Sequence, residues 1–391
     1  MMARLGDIAE FINGGAWSDK EYTNTGIPVV KVTNLKNGTV DLNEVNYIPE
    51  SSLDKYGRHM LRKGDLVIAT VGSHPNLVAS AAGRATIIPS IAEGALLNQN
   101  ALCIRANSEI LYQGYLGYLG KSDLFQGYVK SVGRGAANQV RIALGLIKEF
   151  SFELPPLPIQ RKIASILSAY DDLIENNLKR IKLLEEKAFL RYKGIVKEEK
   201  LEKHILSDFG DIITGKTPST TIGDYFGDDV PFIKTPDMHN QIFIEQTDQM
   251  LSELGAKSQG KKFLPPLSLC VSCIGTAGVV GITSKPSQTN QQINSIVFDE
   301  PKNVYFFYAL MSQMKEQLDA LGSNGSTFTN VNKSKFENME VFVPNQEILN
   351  EFAEEFEAPF SLILTLQKQN SKLREARDIL LPKLMNGQIE V

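Results

Sequence analysis

The chain has 391 residues, 42% hydrophobic and 22% charged, with 41 Lys and Arg against 45 Asp and Glu for a net charge of −4. This is the composition of an ordinary soluble globular protein, and the length allows two or three domains with proper cores. No 18-residue apolar run is present and the opening MMARLGDIAEF has no secretory pattern, so a cytoplasmic chain with no membrane partner is expected. An acidic total argues at first against nucleic acid, but the charge is uneven. Residues 1–150 carry 15 cations against 13 anions, whereas residues 201–345 carry 11 against 16.

Taken in order, the chain repeats itself with a period of about 190–200 residues. Leu5-Gly6-Asp7-Ile8 with Asn13-Gly14-Gly15 is echoed by Leu206-Ser207-Asp208-Phe209 with Thr214-Gly215-Lys216. Ile27-Pro28-Val29-Val30-Lys31 is echoed by Val230-Pro231-Phe232-Ile233-Lys234, and Asn98-Gln99 by Asn290-Gln291. The runs Leu66–Ser73, Ala101–Ala106, Val230–Thr235 and Val279–Ser284 read as short strands bounded by Gly, Pro and Asn. Helical stretches follow at Ile110–Val129 and Val304–Leu321. Each copy is therefore expected to be an α+β domain with loop-rich edges.

A longer helix follows each copy. In the first, Ile163, Leu167, Tyr170, Ile174, Asn177, Ile181, Leu184 and Ala188 alternate four and three residues apart, the spacing of a heptad seam. In the second, Phe352, Phe356, Ile363, Leu366, Asn370, Leu373, Leu380 and Leu384 keep the same phase. Setting Asn177 opposite Asn370 in an antiparallel pair brings Ile174 to Leu373, Ile181 to Leu366, Leu184 to Ile363 and Leu167 to Leu380. Pro359 would kink a continuous helix, and Asp171-Asp172 at the matching place are good helix-start residues. Each arm is thus expected as a short helix, a bend near 171 or 359, and then the seam helix. The fold class is α+β: two repeated α+β domains joined by two long antiparallel helices that form a coiled-coil spacer. Segments 1–154 and 201–343 are the domains, and 155–200 and 344–391 are the helices.

Enzyme readings lack parts. Gly210–Thr217 satisfies GxxxxGK[ST], but Pro218 follows directly, no helical pattern comes after it, and the first copy has Gly14-Gly15-Ala16 with no lysine. Cys270 and Cys273 form a CxxC in an apolar strand-like run, read as two small buried thiols, with Cys103 the third cysteine. The four histidines are scattered and no metal-ligand spacing is present, so no catalytic or metal site is expected. The loops instead supply groups that match base edges. In the first copy these are Lys31, Thr33, Asn34, Ser73, His74, Arg84, Asn98, Gln99, Asn100 and Arg134. In the second they are Lys216, Thr217, Ser219, Lys234, Thr235, Thr276, Asn290, Gln291, Gln292, Asn324, Ser326 and Thr327.

With Leu154-Pro155-Pro156-Leu157-Pro158-Ile159-Gln160 before the first seam, Gly215-Lys216-Thr217-Pro218-Ser219, and the ending Leu380-Leu381-Pro382-Lys383-Leu384-Met385-Asn386-Gly387-Gln388-Ile389, the whole chain resembles the specificity subunit of type I restriction-modification systems. The resemblance implies that each copy is a target recognition domain reading one half of a bipartite site in double-stranded DNA. The helices would set the unread gap, and catalysis would belong to other subunits. Two methyltransferase subunits would dock and use S-adenosylmethionine, motor-nuclease subunits using ATP with Mg could be recruited, and this chain would bind no cofactor. A stand-alone DNA-binding regulator and a coiled-coil interaction scaffold are the alternatives, with a nucleotide hydrolase a distant third.

Overall fold

The computed structural model describes residues 1–391 except 37–38, 43–44, 73–81, 137–138 and 323–328, with backbone alone at 134–136, 139 and 329. The chain forms two compact units, Met1–Asp172 with Arg374–Val391, and Leu173–Leu373.

In the first unit an antiparallel sheet has the order Ala9–Asn13, Ala101–Ala106, Leu66–Ala69, Ala85–Ile87. Its central strands are apolar through Leu66–Ala69 and from Ala101 to Ile104, because both faces are covered there. Leu66, Ile68, Leu102 and Ile104 face the helices Gln113–Lys121 and Asp123–Val132 and join Ile163, Ala164, Leu167 and Leu384 in one core. Val67, Ala69, Ala101 and Cys103 face a layer of loops and short strands that contributes Val30, Leu35, Val40 and Leu97. The second unit repeats the plan in the order Gly210–Thr214, Ile293–Phe298, Leu269–Ser272, Val280–Thr283, Phe243–Ile244. Leu269, Val271 and Ile296 there face Val304–Ser312, while Cys270 and Ile293 face Ile233 and Met238. A two-stranded ribbon closes each copy, Met2–Arg4 on Ser151–Glu153 and Glu202–Ile205 on Glu340–Val343. The three cysteines are free and buried, and burial pushes the Cys270 thiol up to about 12.

Both helical stretches read from sequence are two helices. Ser122 ends one and caps the next by accepting from the Phe125 amide, and residues 313–314 separate Val304–Ser312 from Lys315–Gly322. The long arms differ in the opposite sense. Each is one continuous helix, Leu157–Glu198 and Gln346–Met385, with no break at Asp171 or Pro359. The missing Pro359 amide is outweighed by its surroundings. Phe352 and Phe356 stack at 4.5 Å, and Phe360 packs against Tyr305 at 4.8 Å, all of them buried, so ending the helix there would uncover a large aromatic cluster. Pro382 also lies inside the second helix, which ends at Met385 before Gly387 at φ +68°.

Along the seam, Ile163, Leu167 and Leu384 are buried in the first unit, with Leu380 packed against them and Tyr170 half-buried. In the second unit Ile174, Asn177, Ile363, Leu366 and Asn370 are buried, Ile181 and Leu184 pack against the core that holds Ile363, and Leu373 is half-buried. Asn177 Nδ2 donates to Asn370 Oδ1 at 2.9 Å, with the two residues 7% and 2% exposed. Asn177→Leu alone should lower stability by about 1–3 kcal/mol, because it strands the Asn370 amide. The double change to leucine should recover that loss, since it removes both amides together. Urea unfolding of the three proteins checks this; a single variant as stable as wild type would contradict it.

Candidate nucleic-acid interface

The loops singled out from sequence are anchored by backbone, in the same way in both copies. In the first unit the strand Ile27–Val30 pairs in parallel with Leu96–Leu97, and the Asn98 amide continues the ladder to the Val30 carbonyl at 2.9 Å. In the second, Phe232–Ile233 pairs in parallel with Gln288–Thr289, and the Asn290 amide reaches the Ile233 carbonyl at 3.0 Å. A glycine lies against each strand end. A Cβ on Gly14 would stand 1.9 Å from the Asn98 carbonyl oxygen, and one on Gly215 would stand 2.2 Å from that of Asn290. The following amides, Gly15 and Lys216, donate to the Leu97 and Thr289 carbonyls.

A second anchor makes these loops meet two others. The Thr70 amide donates to the Asn100 carbonyl at 2.8 Å, and the Thr70 carbonyl accepts from Ile142 at 2.9 Å. Thr70 thereby joins the Asn98–Asn100 loop, the strand Val71–Gly72 and the hairpin of Arg134–Ala136 with Gln139–Arg141. Cys273 occupies the same place in the second unit: its amide donates to Gln292 at 2.7 Å and its carbonyl accepts from Val331 at 2.9 Å. It joins Asn290–Gln292, the strand Ile274–Gly275 and Thr329–Asn330. The buried Asn294 braces this junction, accepting from Thr214 Oγ1 and donating to the Val331 carbonyl. Cys273 is thus a backbone junction point, and its buried thiol donates to the Val271 carbonyl at 3.5 Å.

The named side chains sort by what they already bond. Gln99 and Asn100 are exposed and Asn98 half-buried, with Asn100 at φ +72°. Gln291 is exposed and accepts from Thr217 Oγ1 at 2.7 Å, and the half-buried Gln292 accepts from Asn290 Nδ2 at 3.0 Å. Lys216, Ser219 and Thr276 are exposed, and Ser219 bonds Thr221. Thr33 is exposed. Lys31 sits 4.6 Å over the Tyr22 ring and Lys234 5.8 Å over Phe232. Asn34 is engaged in the fold: it is 7% exposed, caps its own turn through the Lys31 amide and donates to the Asp41 carbonyl. Asp237 makes the equivalent cap on the Lys234 amide. Arg84 Nη1 donates to the Leu35 carbonyl at 2.6 Å. Among the described residues, the buried Oγ1 atoms of Thr235 and Thr289 make no hydrogen bond. Ser73, His74, Asn324, Ser326 and Thr327 lie outside the described residues, as does the side chain of Arg134.

The props beneath the first loop carry no signal in the amino-acid pattern. A Cβ on Gly15 would stand 2.3 Å from the Trp17 ring, which meets Tyr56 edge-on at 5.2 Å. His59 Nε2 accepts from Arg58, so Nδ1 carries the proton and donates to the Asn13 carbonyl at 2.8 Å. Burial lowers the His59 pKa and favours this neutral form. The apparent nucleotide-binding motif does not form a phosphate cradle, because Gly210–Thr214 is an edge strand of the sheet and no helix begins after Thr217. Among the described residues no group of three or more His, Cys, Asp or Glu could hold a metal ion, and no helix is long and apolar enough to cross a membrane.

Two copies of one α+β fold, each ending its loops on the same kind of backbone junction and each followed by a long helix, define a protein built as a repeated recognition domain. The chain belongs to the family described as type I restriction modification DNA specificity domain, whose model matches residues 1–186 and again 198–374. It is 48% identical over 190 residues to the type I restriction enzyme HindI specificity subunit of Haemophilus influenzae. That match covers 48% of this chain and 41% of the relative's length. It is 26% identical over 422 residues to the MjaIX specificity subunit of Methanocaldococcus jannaschii, covering 99% of this chain and 93% of that one. In fold it is similar to the crystal structure of a type I restriction-modification S subunit from M. genitalium, with TM-score 0.58, 14% identity, and 98% and 96% of the two chains covered.

Gly215→Ala should cost about 1–3 kcal/mol, because the new methyl meets the fixed backbone oxygens of Asn290 and Thr289 as well as the Thr289 hydroxyl. Gly223→Ala, with nothing within 4 Å of its Cβ position, should stay within about 0.5 kcal/mol of wild type. Thermal unfolding of both variants distinguishes the two sites.

Proposed function

We propose that this chain is the DNA-recognition subunit of a type I restriction-modification complex. One domain reads each half of an asymmetric two-part site in double-stranded DNA, and the long helices hold the gap between the halves. The observation that carries this reading is the pair of junctions at Thr70 and Cys273, which present the amide-bearing loops Asn98-Gln99-Asn100 and Asn290-Gln291-Gln292 from equivalent backbone. Beside these loops the copies differ, with Gly15-Ala16 standing where the second copy has Lys216-Thr217, and such a difference suits two half-sites of different sequence. Exposed amides such as those of Gln99 and Gln291 can pair bidentately with adenine in the major groove.

The chain itself is non-catalytic on this reading. It docks two methyltransferase subunits that use S-adenosylmethionine to methylate adenine, and it can be joined by motor-nuclease subunits that use ATP with Mg. Phosphate affinity then comes largely from the partners, which accounts for an acidic back half. A DNA-binding regulator would need strong phosphate contacts of its own, and a protein scaffold would show no salt-dependent DNA binding.

Adenine methylation mapped by single-molecule sequencing tests the reading. Cells expressing this chain with its methyltransferase should show a two-part motif with an unread gap, absent when the methyltransferase is expressed alone. Gln291→Ala should relax the motif in one half-site only, by about 1–3 kcal/mol of discrimination at one base pair. Deleting four residues near Leu183 together with the four that face them near Leu364 removes about 6 Å of helix. It should change the gap and leave both half-site sequences intact; an unchanged gap would refute the ruler.

A further inference from the structure

In the first unit one carboxylate ties three elements together. Tyr118, on the helix Gln113–Lys121, donates its hydroxyl to Asp171 Oδ2 at 2.7 Å. Arg377, on the second long helix, donates Nη1 to Asp171 Oδ1 and Nη2 to Asp378 at 2.8 Å. Asp171 itself belongs to the first long helix. The joint is mostly shielded, with the Arg377 side chain 15% exposed and that of Asp171 29%. It lines a recess of about 260 Å³ that also includes Lys121, whose ammonium lies 5.9 Å from the Tyr118 ring, and Asp123.

The second unit builds its joint differently. Tyr308, on the helix after its own central strand, donates to Glu185 on the first long helix. Toward the second long helix it offers only a ring, meeting Phe360 edge-on at 5.8 Å, while Phe189 stacks on its other side at 6.1 Å. Tyr305 adds a further aromatic contact to Phe360. The polar ties of the second domain to that helix lie away from Tyr308: Lys302 pairs with Glu357 at 2.9 Å, and Gln367 accepts from the Phe243 amide and donates to its carbonyl. Aromatic contacts tolerate small rotations and slides, because dispersion is not directional. A carboxylate held by two short, charge-assisted or phenolic bonds from opposite sides is not so tolerant. Elsewhere the first domain packs on its helices through the aliphatic Ile163, Ala164, Leu167 and Leu384, and through the buried Gln160, which accepts from the Tyr112 amide and donates to the Ile110 carbonyl at the start of the first long helix alone.

We propose that the Tyr118–Asp171–Arg377 joint is a positioning device that fixes the angle at which the first recognition domain is held on its helices, and that it thereby narrows the gap lengths accepted between the half-sites. This rests on the specificity-subunit reading. Tyr118, Asp171 and Arg377 touch no base; they act through the domain they orient.

The test uses the full chain expressed with its methyltransferase, read as the distribution of gap lengths among methylated sites. Arg377→Met and Asp171→Asn should keep both half-site sequences. They should raise methylation at sites whose gap is one base pair longer or shorter at least tenfold over wild type, equivalent to about 1.4 kcal/mol of lost discrimination. Glu185→Gln, in the other joint, should leave the distribution unchanged. Wild-type gap selectivity in both Arg377→Met and Asp171→Asn overturns the proposal. If either variant abolishes methylation altogether, the exchanged pair Asp171→Arg with Arg377→Asp decides: recovery of methylation with the wild-type gap supports the joint, and no recovery overturns it. A wild-type chain that yields no two-part motif is a separate outcome, which removes the specificity-subunit reading itself.

Discussion

Two asparagines facing each other across a seam of leucine and isoleucine fix the register on which the rest of the molecule depends. A heptad seam is nearly self-similar, so sliding one helix by seven residues, about 10 Å, would trade one set of apolar contacts for another of similar worth. The Asn177–Asn370 bond removes that degeneracy. In a register slipped by one heptad Asn177 falls opposite Ile363 or Arg377 and Asn370 opposite Tyr170 or Leu184, so each loses its amide partner at about 1–3 kcal/mol apiece, and the correct alignment wins by an interaction that adds little net stability. On the proposed reading, a protein that sets a distance along DNA needs this kind of selection more than it needs a tighter seam.

The same separation of roles recurs in the recognition domains. The junctions at Thr70 and Cys273 consist of backbone amides and carbonyls. A backbone junction places no demand on the side chains around it beyond room for them, which Gly14 and Gly215 supply by lacking a Cβ. The loops that radiate from each junction can therefore change sequence without disturbing the sheet beneath. That is a physical reason for a repeat whose scaffold positions match while the residues between them do not.

What could be read from sequence follows from whether its cause is local. The seam was legible because its signal is a spacing, and the two-copy plan because turn glycines and Pro-flanked strands repeat in order. The bends expected at Asp171 and Pro359 were wrong, since the aromatic packing of Phe352, Phe356 and Phe360 that carries the helix through the proline is tertiary. Ser122 could have been recognised as a helix break from its capping residue type, but the apolar pattern runs across it. Asn34 shows the limit for the interface. Its residue type suits adenine as well as Asn98 does, yet its amide is spent on the Lys31 amide and the Asp41 carbonyl. Nothing in its neighbours separates a capping asparagine from a reading one, and the same holds for His59, whose prop on Asn13 joins residues 46 apart.

The charge distribution, awkward for a DNA-binding chain, becomes coherent once affinity and specificity are treated as different quantities. Phosphate contacts supply affinity through counterion release and carry no sequence information, whereas base contacts supply discrimination. The second copy, with 11 cations against 16 anions in residues 201–345, presents neutral amides and a hydroxyl at Gln291, Gln292 and Thr217, while the buried Asn290 is spent on Gln292. Such groups distinguish base edges without drawing the loop onto DNA of any sequence. On the proposed reading this is an advantage. A recognition subunit with strong phosphate affinity of its own would occupy unmatched DNA without its methyltransferases, while one that relies on its partners for the backbone binds firmly only when the complex is assembled. The acidic surface then works against premature binding, and the neutral loops keep their discrimination for the assembled state.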